Sequence, residues 1–303
     1  WRILTSDVTV FSGYRKDMDL EVGFCRLLRK KSIYLMHGCV SYEKQLNQHR
    51  LTPRMIRTEQ FVLHNVDLIL TVSEPYRNWV VQRYPDVEHK IHFLNLGIDK
   101  REYREGQKSW SAPEEMEINK IAAAGGDRIQ KNNREVCQAV EKLSACLERP
   151  MVLNLYGTSY STYNVFSDYP HTSYKGLVPQ EVLYRELAGS QVFVLNSEVE
   201  SFGLSAIDAL MCGCSVLITK NAGICSLLSL ENSDVILDVH DPEEIAAKIA
   251  HLIQHPNHQR LVNSIDFENC SWEQVAERLY AICSCLTKRT EKSPASKSPC
   301  SRK

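Results

Sequence analysis

Four side chains that could do chemistry stand in two short stretches of this 303-residue sequence. In Ser197-Glu198-Val199-Glu200-Ser201-Phe202-Gly203-Leu204, a carboxylate precedes what reads as an amphipathic helix ending at Gly213, and a second carboxylate, Asp208, lies inside it. The first turn of such a helix leaves its amides unpaired and carries the positive end of the helix dipole, so a diphosphate is its natural guest. Glu200 is then placed to accept hydrogen bonds from sugar hydroxyls. Asp208, eight positions on and on the face of Leu204, is placed to accept from a ribose. The plainer alternative is that Glu200 caps the helix and Asp208 is solvated. The other stretch, Gly125-Gly126-Asp127-Arg128-Ile129-Gln130-Lys131, follows a strand-like run. Its glycines let the backbone turn tightly and approach a ligand, while Arg128 and Lys131 offer two positive charges to a phosphate group. It is neither a P-loop nor G-x-G-x-x-G, and a solvated basic turn fits the residues too.

These residues need elements to hold them, and the sequence supplies an alternation of strand-like and helix-like runs. Strands are predicted at Ser32 to Met36, Asp67 to Val72 and Lys90 to Leu94, with a long charged helix-like segment from Tyr42 to Asn65. From Lys100 to Asn119 the chain is polar and reads as a linker. The alternation resumes with strands at Lys120 to Ala124, Met151 to Tyr156, Thr172 to Tyr174, Gln191 to Leu195 and Ser215 to Thr219. Helices are predicted from Asn133 to about Leu147, Pro179 to Ala188 and Gly203 to Cys212. Two more follow, from Pro242 to Ile253 with Asp241 as cap, and from Trp272 to Leu286. Two α/β units joined by a linker imply a cleft, and ligands of such sheets bind beyond the carboxyl ends of the strands. Every motif singled out lies at such an end.

Composition narrows the function classes. With 43% hydrophobic and 24% charged residues the chain is globular, and a formal charge of −1 gives no support for nucleic-acid binding. Residues 1 to 60 are more basic, eleven Lys/Arg against six Asp/Glu, with Arg29-Lys30-Lys31 the densest cluster. Weak, salt-sensitive contact with an anionic membrane is therefore expected, on a chain without an apolar run long enough to span one. Eleven cysteines with no C-x-x-C pair and no suitable histidine spacing read as free thiols in a cytoplasmic protein, peripheral at most to the inner face of the membrane.

The ordered series of motifs resembles the retaining glycosyltransferases of the GT4-type family, which have the GT-B fold. Beyond the Glu200 stretch, Asp67 to Tyr76 (DLILTVSEPY) resembles the family's strand ending in Val-Ser. Asn95-Leu96-Gly97-Ile98-Asp99 resembles its Asn-Gly-x-Asp element, Tyr174 to Pro179 (YKGLVP) its Gly-x-Val-Pro turn, and Trp272 the start of its closing helix. The resemblance covers roughly residues 32 to 286 and implies an α/β fold of two doubly wound, Rossmann-like domains facing a cleft, the first incomplete. The expected division is an acceptor-side domain over 1–105, a linker over 106–119, a nucleotide-sugar domain over 120–270, a closing helix over 271–286 and a disordered tail over 287–303.

The resemblance further implies that Glu200 holds the donor sugar, Asp208 the ribose, and Arg128 with Lys131 the diphosphate. His37 matches the histidine over the donor sugar. Gly125, Gly126, Gly176, Val178, Ser201, Phe202, Gly203 and Leu204 complete the donor site, with catalysis resting on Glu200, His37, Arg128 and Lys131. The implied reaction is metal-independent hexosyl transfer with retention, without a cofactor, from a UDP- or GDP-sugar to a glycan, a lipid-linked sugar or a protein. Three departures stand out: Asp208 replaces the family's glutamate, Arg128 and Lys131 are three apart rather than about five, and the chain begins at Trp1, in strand-like sequence, where the family has a further strand, Gly-rich loop and helix. The chain is then expected to be a fragment, or a partner that binds donor or glycan without turnover. A nucleotide-sugar epimerase on the same fold is the less favoured alternative.

Overall fold

The computed structural model describes residues 2–99, 119–146, 150–161 and 163–288. The predicted linker, apart from Asn119, and the predicted tail beyond residue 288 lie outside the described residues. Two parallel sheets account for the strands. The first has the order β1-β2-β3-β4, with β1 at Val8–Ser12, β2 at Lys31–Met36, β3 at Leu68–Thr71 and β4 at Ile91–Phe93. The second has the order β10-β9-β8-β5-β6-β7. Its strands are β5 (Asn119–Ala124), β6 (Met151–Tyr156), β7 (Thr172–Gly176), β8 (Val192–Leu195), β9 (Ser215–Thr219) and β10 (Val235–Ile236). The central strands are largely apolar, and every residue of β8 and β9 is buried. That is the pattern of a parallel sheet covered on both faces.

The first sheet carries α1 (Met18–Leu27), α2 (Val40–Leu46), α3 (Pro53–Asn65) and α4 (Glu74–Arg83). The segment expected as one helix over Tyr42 to Asn65 is therefore two. Gln48 adopts a left-handed φ of 53°, and Pro53 cannot continue a helix but suits the first turn of a new one, where Thr52 accepts from Met55 N at 3.3 Å. The chain start also differs from expectation: Arg2–Thr5 form one helical turn, and the first strand comes at Val8.

The second sheet carries α5 (Asn133–Ser144), α6 (Gln180–Ala188), α7 (Leu204–Met211), α8 (Pro242–Gln254) and α9 (His258–Ser264). Asp241 caps α8 as predicted, accepting from Glu243 N at 2.9 Å and Glu244 N at 3.2 Å. The last helix, α10 (Trp272–Lys288), returns to the first sheet, where Val275, Leu279, Ile282 and Leu286 pack on Ile33, Leu70 and Leu94. Its entry is tight: a Cβ on Gly97 would stand 2.4 Å from the Trp272 ring, and Ile98 N donates to Cys270 O at 2.8 Å. The ten described cysteines are free thiols.

Candidate functional site

The order of the second sheet reverses direction at β5 and β8, which lie side by side while their successors run to opposite edges. Loops leaving such a reversal diverge and open a crevice beyond the strand ends. The loop after β5 is 125–132 and the loop after β8 is 196–203, so both candidate stretches come from that one point.

The first loop turns sharply. Gly125 and Gly126 have φ of +108° and +61°, and both amides donate to Tyr156 O, at 2.8 and 2.9 Å. A Cβ on Gly126 would lie 2.1 Å from Thr158 O, a backbone atom that cannot yield. A Cβ on Gly125 would lie 2.5 Å from Lys131 Cγ, because the lysine stem crosses the glycine on its way to the second loop. There Lys131 Nζ donates to Glu200 Oε2 at 2.5 Å and to Ser197 Oγ at 3.3 Å, while Ser197 Oγ donates to the same carboxylate oxygen at 3.1 Å. Glu200 therefore pairs with a cation and makes no cap on the helix.

Helix α7 begins after Gly203, whose φ of +104° turns the chain into it, and no side chain caps its first turn. Ser201 lies half-buried before it, and Phe202 is buried beneath and fixes the approach, while Leu204 remains exposed. The structure thus brings Lys131, Glu200 and an uncapped helix start to one place. Asp208, two turns further on, is half-buried and receives the Tyr184 hydroxyl at 3.4 Å, which removes the reading of a freely solvated carboxylate.

Arg128 is set apart from Lys131. Its guanidinium lies 6.0 Å over the Tyr160 ring and lines a cavity of about 550 Å³ shared with His49, Asn132 and Arg134. Asp127 fixes that side of the loop by accepting from Ser159 Oγ, Tyr160 N and Ser161 N at 3.1, 2.8 and 2.8 Å. Gly176, with φ of +68°, offers its carbonyl to Gly157 N at 2.9 Å, and Val178 packs on the core.

From the first sheet, His37 follows β2 and its Nε2 lies 2.9 Å from Ser12 Oγ at the end of β1. His37 keeps much of its surface exposed, and the protein around the rest of its ring desolvates it and holds the imidazole below its ordinary value. The sequence offered no signal for Glu43, one turn into α2. Its carboxylate folds over Gly38, where an added Cβ would stand 2.2 Å from Glu43 Oε1. Burial pushes the Glu43 carboxyl above the ordinary carboxylate range. The Cys39 N–H opposes that rise, the Glu200 charge adds to it, and Arg128 and Lys131 oppose it, which places Glu43 within electrostatic reach of the loops after β5 and β8. Behind it, the buried Glu59 holds the start of α2 by accepting from Val40 N at 2.7 Å and Ser41 N at 3.1 Å.

Ser73, the end of the Val-Ser element, also gains a defined task. It caps α4 through Tyr76 N at 3.2 Å and donates to Ser201 O across the cleft at 2.6 Å. Two other features lie off the site. The Arg29-Lys30-Lys31 cluster enters β2 at the opposite end of the sheet, with Lys31 on Asp67 at 2.9 Å. The Asp17-Met18-Asp19 triplet, a spacing that could attract a divalent cation, is paired with Arg54 at 3.3 and 3.6 Å. Among the described residues, no group of three or more His, Cys, Asp or Glu could hold a metal ion, and no helix is long and apolar enough to cross a membrane.

The sequence profile of the family described as "Glycosyl transferases group 1" matches residues 111–264, half of the chain. The chain belongs to that family. Relatives extend the likeness. The MMP alpha-(1->4)-mannosyltransferase of Mycolicibacterium hassiacum is 22% identical over 287 residues, 90% of this chain and 64% of that protein. Sucrose synthase 4 of Oryza sativa subsp. japonica is 25% identical over 176 residues, 54% of this chain and 20% of that protein. This group 1 chain thus spans between a fifth and about two thirds of the length of those relatives. Among solved structures, sucrose-phosphate synthase from Thermosynechococcus elongatus superposes with a TM-score of 0.68 at 17% identity, covering 93% of this chain and 74% of that one. Anabaena HepE in complex with UDP and glucose gives a TM-score of 0.69 at 13% identity, covering 91% and 78%. At such identities the likeness establishes the fold, and the fold is GT-B.

Proposed function

We propose that this chain binds a UDP- or GDP-linked hexose where the β5 and β8 loops meet and transfers the hexose, with retention and without a metal, to a hydroxyl of a glycan, a lipid-linked sugar or a protein. The observation that carries this reading is the meeting of Lys131, Glu200 and the uncapped start of α7 at the strand-order reversal. When the bond between the sugar and the diphosphate breaks, its electron pair goes to the diphosphate. The Lys131 ammonium, the first-turn amides of α7 and the Arg128 guanidinium are the chain's own means of stabilising that charge. Glu200 meets the sugar hydroxyls, Asp208 the ribose, and backbone groups around Gly176 to Val178 the edge of the base. His37 covers the sugar from the other unit. Solved neighbours described as holding UDP, glucose or UDP-glucose support the donor class.

The experiment is a thermal-shift and calorimetric screen against UDP, GDP, UDP-glucose and GDP-mannose, followed by proton NMR of the anomeric centre in any product. A ligand at about 100 times its dissociation constant stabilises by about 2.7 kcal/mol, which is readily detected. Binding with turnover in EDTA and an unchanged anomeric configuration is the expected result. Binding without turnover of the donor would move the chain to the non-catalytic reading, and an inverted product would overturn retention.

A further inference from the structure

Between Arg128 and Lys131 stands Gln130, whose type and spacing announce nothing. It is 7% exposed and faces Asn47, 8% exposed, at the end of α2 on the other unit. The two amides pair in both directions across the cleft: Gln130 N donates to Asn47 Oδ1 at 3.0 Å, and Asn47 Nδ2 donates to Gln130 Oε1 at 3.2 Å. Asn47 Nδ2 also donates to Glu43 O at 2.7 Å, closing the last turn of α2. On its other side Gln130 holds the loop after β8, with its Nε2 donating to Val199 O at 2.7 Å and its carbonyl accepting from Glu198 N at 2.8 Å. The residue next to Val199 is Glu200, and the residue next to Gln130 is Lys131.

A buried amide is costly unless its groups are paired, and a fully paired buried network favours one arrangement over its neighbours. Here that arrangement requires both units: without Asn47, the Gln130 amide and side-chain oxygen lose their partners and the cleft must open to hydrate them. We propose that Gln130 and Asn47 are positioning residues for the donor sugar, setting Glu200 in place through the Glu198–Val199 backbone that Gln130 holds, and only when the first unit is closed on the second; Lys131, its stem held across Gly125, stays on the diphosphate. This rests on the donor-binding reading above. A nucleoside diphosphate, held through ribose and phosphates, is then largely indifferent to the pair. The intact nucleotide sugar, which needs Glu200, depends on it.

The test is calorimetric titration of UDP against UDP-glucose, and of GDP against GDP-mannose, into wild type, Asn47→Ala, Gln130→Ala and the double variant, with thermal unfolding to confirm that each is folded. In the pair that wild type binds, nucleoside diphosphate affinity should stay within about twofold throughout. Affinity for the sugar nucleotide should fall about tenfold, on the order of 1.4 kcal/mol, in each single variant. The double variant should be little worse than either, since each single change already breaks the Asn47 Nδ2 to Gln130 Oε1 bond on which the closed arrangement depends. Gln130→Glu keeps the acceptor for Asn47 and loses the donor to Val199; it should show the same selective loss, and serves if an alanine variant does not fold. Equal losses for both ligands, or additive losses in the double variant, reduce the pair to structural packing and overturn the proposal. A wild type that binds neither nucleotide pair overturns the donor reading itself, and the proposal with it.

Discussion

Two carboxylates approach one cleft from opposite units, and their surroundings differ in kind. Glu200, on the second unit, has a lysine ammonium at 2.5 Å and a serine hydroxyl at 3.1 Å. Glu43, on the first unit, forms no ion pair among the described residues; burial raises its carboxyl, and the Cys39 amide is foremost among the groups that oppose this. The glycines beside them differ in the same way. Gly126 is pinned by backbone, its absent Cβ 2.1 Å from Thr158 O, whereas Gly38 is bounded by the end of the flexible Glu43 side chain. The Glu200 side is thus built rigidly around a charged pair. The Glu43 side is bounded by a movable side chain, and its carboxyl is held above the ordinary range by burial.

The largest effects should fall on the rigid side. Gly126→Ala forces a left-handed residue to carry a Cβ into a carbonyl, and is expected to cost about 3 kcal/mol or more from strain and overpacking together. Gly176→Ala, with a similar φ but nothing within 4 Å of the new Cβ, should cost only the strain, about 1 kcal/mol. Urea denaturation of the two separates the close approach from the backbone angle; equal losses would deny that the Gly126 contact constrains the loop. Next comes Lys131→Ala, which leaves Glu200 with Ser197 alone in a site where both side chains are under 15% exposed. A loss of about 2 kcal/mol is expected, with most of it recovered in Lys131→Ala/Glu200→Gln. If Glu43→Ala costs as much as Lys131→Ala, the contrast between the two sides is wrong.

What the sequence could show followed from the range of the contacts. The strands at Met151–Tyr156 and Ser215–Thr219 are largely apolar runs and fall where predicted. Glu200 and Asp208 are legible because their spacing along one loop and helix is itself the signal. β1 mixes Thr9 and Ser12 with its apolar residues, and β10 has two residues, so neither stands out from turn sequence. The cleft contacts are illegible for a different reason: Asn47 and Gln130 are 83 residues apart, Ser73 and Ser201 128 apart, and nothing local marks either as paired. Arg128 and Lys131 show the converse limit. Three residues apart, they leave a tight turn in different directions, one stem across Gly125 and the other toward Tyr160, which no local pattern announces.

A smaller effect tests the Glu43 side of the comparison through pH. The folded state raises the Glu43 carboxyl above its unfolded value, so between those two values the native chain binds more protons than the unfolded one, and its stability falls as pH rises through that window. Glu43→Gln carries no such group. The variant should match wild type in acid, below the ordinary carboxylate range, and exceed it at neutral pH. Denaturant midpoints between pH 4 and 7.5 decide the matter, and a variant less stable than wild type at neutral pH would mean that the Glu43 charge is compensated after all.

The smallest effect is expected from Gly38→Ala. Gly38 has no left-handed φ, so the backbone accepts alanine, and the added methyl meets only the movable end of Glu43. The lost conformational freedom of the unfolded chain offsets the lost Cys39 contact, and the net change should stay within about 0.5 kcal/mol. The informative quantity is again the pH dependence: once the methyl pushes the carboxylate outward into water, the stability that wild type loses on raising the pH should shrink toward that of Glu43→Gln. A Gly38→Ala protein that keeps the full wild-type pH slope would show that Glu43 does not owe its raised carboxyl to its place over Gly38, and the cause of the rise would then lie elsewhere along α2.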